Sequence, residues 1–137
     1  MKYMDLAIKI AKKTQKKGNV PVGCVIVRNN KIISVSSNKK NSLNVSVYHA
    51  EIIAIIKACK KLKRWQLDDC EMYVTLEPCA MCAAAIAESR IKKVYYLLES
   101  RYSNNMNKNI SNIEYVKIFD KEKYYDIISE FFRELRE

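Results

Sequence analysis

Residues 71–98 read EMYVTLEPCAMCAAAIAESRIKKVYYLL, and their alternation decides the fold. Glu71 to Leu76 is a β-prone run. Pro78 interrupts it at a position favoured for a helix entrance, and the alanine-rich stretch from Cys79 to about Glu88 is a strong helix former. Val94 to Leu98 then returns to β-branched and aromatic residues. Upstream, Met4, Ala7, Ile8 and Ala11 recur at helical spacing, with lysines on the other side, and predict an amphipathic helix from about Lys2 to Lys17 that Gly18 and Asn19 stop. Cys24 to Val27 and Ile32 to Ser36 flank Asn29-Asn30, a pair that suits a tight hairpin because asparagine tolerates positive φ. After a polar loop, His49 to Leu62 is apolar around enough of its circumference to be a buried helix.

Downstream of the same stretch, Arg101 to Asn112 reads as an irregular loop rich in asparagine and serine, and Ile113 to Ile118 as a fifth strand. Asp120 is placed to cap a last helix in which Ile128, Phe131, Phe132 and Leu135 form an apolar stripe. Strands alternating with helices predict a three-layer α/β/α domain around a mixed five-stranded sheet. With 137 residues, 49% of them hydrophobic, the chain suits one complete core rather than two, so residues 1–137 are read as a single domain.

Composition narrows the chemistry. No apolar run approaches the length of a membrane span, and the start lacks the uncharged apolar block of a secretory signal, so a cytoplasmic protein is expected. The five cysteines are an odd number, and cytosolic thiols stay reduced, which makes metal binding the question to ask rather than disulfides. A net charge of +10 favours polyanionic partners such as RNA, although lysine-rich faces are more often simply solvated.

Two short segments carry the reactive groups. His49-Ala50-Glu51 opens one predicted helix and Glu77-Pro78-Cys79-Ala80-Met81-Cys82 opens the next. Cys79 and Cys82 are three apart, so in a first helical turn their sulfurs lie on one side, where the helix dipole favours thiolates. With His49 they make three ligands and leave a fourth position for water, the arrangement of a catalytic zinc. Cys59 lies about 15 Å from His49 at helical rise and cannot join. Cys70 stands on the order of 20 Å from Cys79 along an extended strand. Cys24 is not excluded by local spacing, but a small residue in an apolar strand is more often core.

Glu51 distinguishes catalysis from a structural metal, which has no use for a carboxylate two positions from a ligand. Such a pair faces the same ion only at a helix tip, since two residues apart on a regular helix point nearly opposite ways. Glu51 is the candidate proton shuttle: it takes a proton from water, passes it to a ring nitrogen, and assists the departure of ammonia. A lone Cys-x-x-Cys is a weak signal. Paired with His-x-Glu, it is recognised as the general signature of zinc-dependent nucleobase deaminases.

From these segments outward the sequence resembles the bacterial-type tRNA adenosine deaminases. The resemblance runs through Val20-Pro21-Val22-Gly23, Asn38, Tyr73-Val74-Thr75-Leu76-Glu77, Ser89-Arg90-Ile91 and Phe131-Phe132-Arg133. It implies a cytidine-deaminase-like fold and conversion of the wobble adenosine of a tRNA anticodon to inosine. One Zn2+ per subunit would be bound by His49, Cys79 and Cys82, with Glu51 as the catalytic group. It further implies that Asn38 hydrogen-bonds the substrate, that Val22 lines the pocket, and that the backbone amides of Ala50 and Cys79 hold the base and its developing charge. The partners implied are a tRNA anticodon loop and a second copy of the chain in a homodimer. Lys39, Lys40, Arg133 and Arg136 are the candidate RNA contacts, each equally readable as ordinary surface charge. Glu77 reads as structural.

Two departures bear on the substrate. The segment Arg101 to Asn107 is shorter than the family's and different in composition, and Tyr48 stands where the family has a small residue. Two other readings therefore stay open: deamination of a free base or nucleoside such as guanine, cytosine or adenine, and a zinc-stabilised RNA-binding module without catalysis.

Overall fold

The computed structural model describes residues 2–15, 18–100, 112–118 and 124–130. Helix α1 spans Lys2–Gln15; strands β1 (Gly23–Arg28) and β2 (Lys31–Ser37) follow as a hairpin. Its two-residue turn is Asn29-Asn30, with φ of 49° and 62°, the left-handed pair that a tight antiparallel turn requires. A four-residue helix α2 (Lys40–Leu43) precedes α3 (Ala50–Leu62), and β3 (Glu71–Leu76), α4 (Ala80–Glu88) and β4 (Lys93–Leu98) continue the chain. Strand β5 (Glu114–Lys117) and a last helical stretch, α5, at residues 124–130 complete the described elements.

The five strands lie in the order β2-β1-β3-β4-β5. Strand β1 is antiparallel to β2 and β3, whereas β3, β4 and β5 run parallel, so the sheet is mixed as expected. The β3–α4–β4 unit read from residues 71–98 is the crossover that makes the first parallel pair.

Alternation along the strands divides the core into two layers. Cys24 and Ile26 of β1, Met72 and Val74 of β3, and Val94 and Tyr96 of β4 pack with Ala50, Ala54 and Ala58 of α3 and Ile86 and Ala87 of α4. Their neighbours Val25, Val27, Tyr73 and Leu97 point the other way, against Met4, Ala7 and Ala11 of α1 and Tyr124 and Ile128 of α5. This is the three-layer α/β/α arrangement. Ile128 takes the core position expected of it, while Asp120, Phe131, Phe132, Leu135 and the loop at residues 101–111 lie outside the described residues. The fifth strand is shorter than the Ile113 to Ile118 expected, and α2 was not anticipated. Four residues with no apolar periodicity leave no pattern to read.

Helix α1 sits unusually close to the sheet at Gly23. A Cβ there would lie 1.9 Å from the carbonyl oxygen of Ala7 and 3.1 Å from the amide nitrogen of Ala11. Both contacts are main chain, so relief requires moving the helix rather than turning a side chain. Gly23→Ala is accordingly expected to lower stability by about 3 kcal/mol, the upper range for overpacking. Urea denaturation checks this; a loss under about 1 kcal/mol would show that α1 shifts freely.

Candidate active site

The site forms at one edge of the sheet, where β1 begins and where β2, β3 and β4 end. Ligand sites in open α/β sheets occupy this kind of position, outside the carboxyl ends of parallel strands. Two helix entrances converge there. His49 precedes α3 with φ −72° and ψ 155°, and Cys79 precedes α4 with φ −71° and ψ 176°. Both are therefore extended residues at a helix tip, and Glu51 is the second residue inside α3. This resolves the spacing problem between His49 and Glu51: because one residue lies just outside the helix, both can line the same cavity.

His49 Nδ1 lies 3.7 Å from Cys79 Sγ and 3.6 Å from Cys82 Sγ. The three ligand atoms all fall within 4.8 Å of one another. Zinc bonds of about 2.3 Å to sulfur and about 2.0 Å to nitrogen in a tetrahedron set N···S edges of roughly 3.5 Å, so the triad has the dimensions of three corners around one ion. Among the described residues this is the one cluster able to hold a metal, and Cys24, Cys59 and Cys70 are not part of it. Cys24 is instead fully buried in the core beside Ser36 and Glu51.

The electrostatics follow from burial and mutual proximity. The Glu51 carboxyl is 5% exposed, and desolvation is the main cause that pushes its pKa up to about 7. The Cys79 thiol is drawn down to about 4, chiefly by the Cys82 side chain and also by His49, against the opposing effect of burial. Cys82 is pushed upward by Cys79 and by burial, and His49 is raised by its contact with Cys79. A thiolate beside an imidazole is the electronic character a soft metal ion selects.

These groups open into a cavity of about 220 Å³. That is below the roughly 300–1,000 Å³ of clefts for drug-sized ligands and suits one small planar group. Val22, Asn38, His49, Ala50, Glu51 and Cys79, all expected at the site, line it, and Cys82 is buried behind. Lys40 also lines the cavity, whereas Lys39 does not; Arg133 and Arg136 lie outside the described residues. The sequence reading did not place Val20, Leu76 or Ser100 there. Glu77 accepts a hydrogen bond from the Ser100 amide at 3.3 Å, joining the ends of β3 and β4.

The wall made by Val20-Pro21-Val22 is held at every carbonyl. Asn38 donates its side-chain Nδ2 to Val20 O at 3.3 Å and its main-chain N–H to Val22 O at 3.3 Å. Tyr124, fully buried, donates its hydroxyl to Pro21 O at 2.8 Å across 103 residues of chain. No sequence pattern pointed to Tyr124, since the partner is a main-chain atom and leaves no residue signal. Tyr124→Phe is expected to cost about 1–2 kcal/mol in chemical denaturation, because Pro21 O is left buried without its donor. No measurable loss would show that water replaces the hydroxyl.

A pair of cysteine sulfurs and an imidazole at converging helix tips, with a buried carboxyl beside them, defines a zinc-dependent deaminase. The chain belongs to the family of cytidine and deoxycytidylate deaminases, whose zinc-binding region matches residues 1–98. It is 38% identical to the tRNA-specific adenosine deaminase of Bacillus subtilis, over 98% of this chain and 89% of that protein. A structure from work on A-to-I editing by tRNA:A34 deaminases at the wobble position of transfer RNA superposes with a TM-score of 0.85 at 31% identity, covering 91% of this chain and 97% of the other. The guanine deaminase of Bacillus subtilis gives a TM-score of 0.70 at 31% identity, covering 98% and 92%. Membership of this family sets aside the reading as a zinc-stabilised module without catalysis.

Proposed function

We propose that this protein hydrolyses the wobble adenosine of a tRNA anticodon to inosine and ammonia. The observation that carries the reading is the 38% identity to a tRNA-specific adenosine deaminase along 98% of the chain. The free-base alternative is supported less well, since identity to the guanine deaminase of Bacillus subtilis is 31% against 38% for the tRNA-specific adenosine deaminase of the same organism.

In this reading His49, Cys79 and Cys82 hold the zinc. When bound, zinc supplies Lewis acidity that makes water a nucleophile at neutral pH. Glu51 takes a proton from the attacking water and delivers it to N1 of the adenine ring as the oxygen adds to C6. The remaining hydroxyl proton then passes through the same carboxylate to the exocyclic amino group, the C6–N bond breaks, and ammonia leaves. Burial of Glu51, with its pKa near 7, suits a group that must both accept and return a proton.

Ala50 and Cys79 offer backbone amides at the two helix entrances, where negative charge is stabilised. Asn38 already donates to Val20 O and accepts from the Lys40 amide at 3.0 Å. A side-chain amide has two N–H bonds and two lone pairs, so a hydrogen bond to the base adds to these contacts rather than displacing them. An adenine within a stacked loop hides C6, and an unpaired anticodon nucleotide can be splayed into the cavity.

The same family resemblance carries a homodimer, and a cytoplasmic setting is the place expected of a tRNA-modifying enzyme. Exposed Leu43, Val47 and Ile56 support a partner on the α2–α3 side. Light scattering on the eluting protein is expected to give twice the chain mass; a monomer at micromolar concentration contradicts the dimer.

Mass spectrometry of tRNA nucleosides, beside an ammonia assay with free guanine, cytosine and adenine, tests the substrate. Inosine from tRNA is expected, and turnover of a free base with none on tRNA would sink the reading. Glu51→Ala should lower kcat by about 10²-fold or more while retaining zinc, as removal of a general acid–base does. Cys82→Ala should lose both metal and turnover, checked by elemental analysis of the purified protein.

A further inference from the structure

A second cleft, of about 210 Å³, lies beside the catalytic cavity and is lined by Ile10, Lys13, Thr14, Ser37 and Lys39. The two share a wall. Asn38 lines the catalytic cavity, and the residues on either side of it, Ser37 and Lys39, line the second cleft. Its opposite wall is the last part of α1.

Apart from Ile10, the lining is cationic and hydroxylic, with no carboxylate among the described residues. Neither Lys13 nor Lys39 forms an ion pair among the described residues, in contrast to Arg28, Arg64 and Lys117, which are paired with acidic side chains. Thr14 donates its hydroxyl to Ile10 O at 2.9 Å, which fixes the rotamer on that wall. Lys39 is itself held in place: its main-chain N–H donates to Tyr48 O at 2.9 Å, at the residue before the zinc-ligand candidate His49.

We propose that this cleft is a phosphate subsite, which seats a backbone phosphodiester flanking the nucleotide held in the catalytic cavity. The proposal rests on the tRNA reading of the adjoining cavity and deepens it. A nucleotide splayed into that cavity carries a phosphate on each side, and the cleft adjoins the cavity at Asn38, within reach of one of them. Lys13 and Lys39 line the cleft from different parts of the chain, together with Ser37. Such contacts fix the position of the strand and carry no sequence information; the base is read in the cavity. The fold brings Lys13, about two dozen residues upstream, to the same cleft as Lys39.

The test measures binding and turnover separately, on an anticodon stem-loop and on the whole tRNA. Fluorescence anisotropy gives Kd across a salt series, and initial rates give KM and kcat. In Lys13→Gln/Lys39→Gln, Kd and KM are expected to rise roughly tenfold at about 0.1 M salt. The plot of log Kd against log salt should become shallower by about 0.7, the loss of one neutralised phosphate on a single strand. A control of equal charge, Lys60→Gln/Lys61→Gln at the far end of α3, should change the slope by less than half as much.

Equal effects of the two pairs would mean that only net charge matters and would overturn the subsite. Inorganic phosphate distinguishes a free-anion site. Competition by millimolar phosphate that Lys13→Gln/Lys39→Gln abolishes, with stem-loop affinity unchanged, would also overturn it. Failure of the wild type to deaminate a stem-loop that it binds, with the lysine effect on Kd intact, would count against the tRNA reaction and leave the phosphate contact standing.

Discussion

The structure depends on one geometric constraint: two helices must begin at the same point. His49 and Cys79 are each the extended residue before a helix, and the sheet brings those two tips to within hydrogen-bond range of one another. If either helix began one residue earlier, its leading ligand would join the regular spiral and turn away from the other helix. The core fixes this register. Ala50, Ala54 and Ala58 of α3 are fully buried against the sheet. The hydroxyls of Ser36 and Ser34 on β2 donate to the carbonyl oxygens of Ala50 and Ala54.

The same constraint couples packing to chemistry. Small residues on α3 and α4 let both helices approach the sheet closely, and close approach excludes water from Glu51. Exclusion of water is what raises the Glu51 pKa into the range useful for proton transfer. On the opposite face, Gly23 admits α1 and Tyr124 anchors the pocket wall to α5, so both helical layers contribute to a site on one edge. Asn38 lines the catalytic cavity while its chain neighbours Ser37 and Lys39 line the cationic cleft, so one short stretch of chain serves both.

Much of this was legible in the sequence. The strand–helix–strand alternation of residues 71–98 gave the crossover, Asn29-Asn30 gave the hairpin, and the spacing of His49, Glu51, Cys79 and Cys82 gave the reactive cluster, because each is a local pattern with a local physical cause. What stayed hidden depends on distant main chain. Helix α2 is too short to show periodicity. Tyr124 acts on a carbonyl oxygen 103 residues away, and Lys13 meets Lys39 only because α1 lies across the end of β2. The role of Gly23 is close approach of a helix, which no neighbouring residue encodes.

The central claim is that three side chains grip one zinc and leave a fourth position for water. X-ray absorption at the zinc edge of the purified protein measures this ligand set directly. One metal per chain is predicted, with two sulfurs at about 2.3 Å and two nitrogen or oxygen atoms at about 2.0 Å, one of them exchangeable. A shell of three or four sulfurs, or a chain that takes up no zinc, would contradict the account.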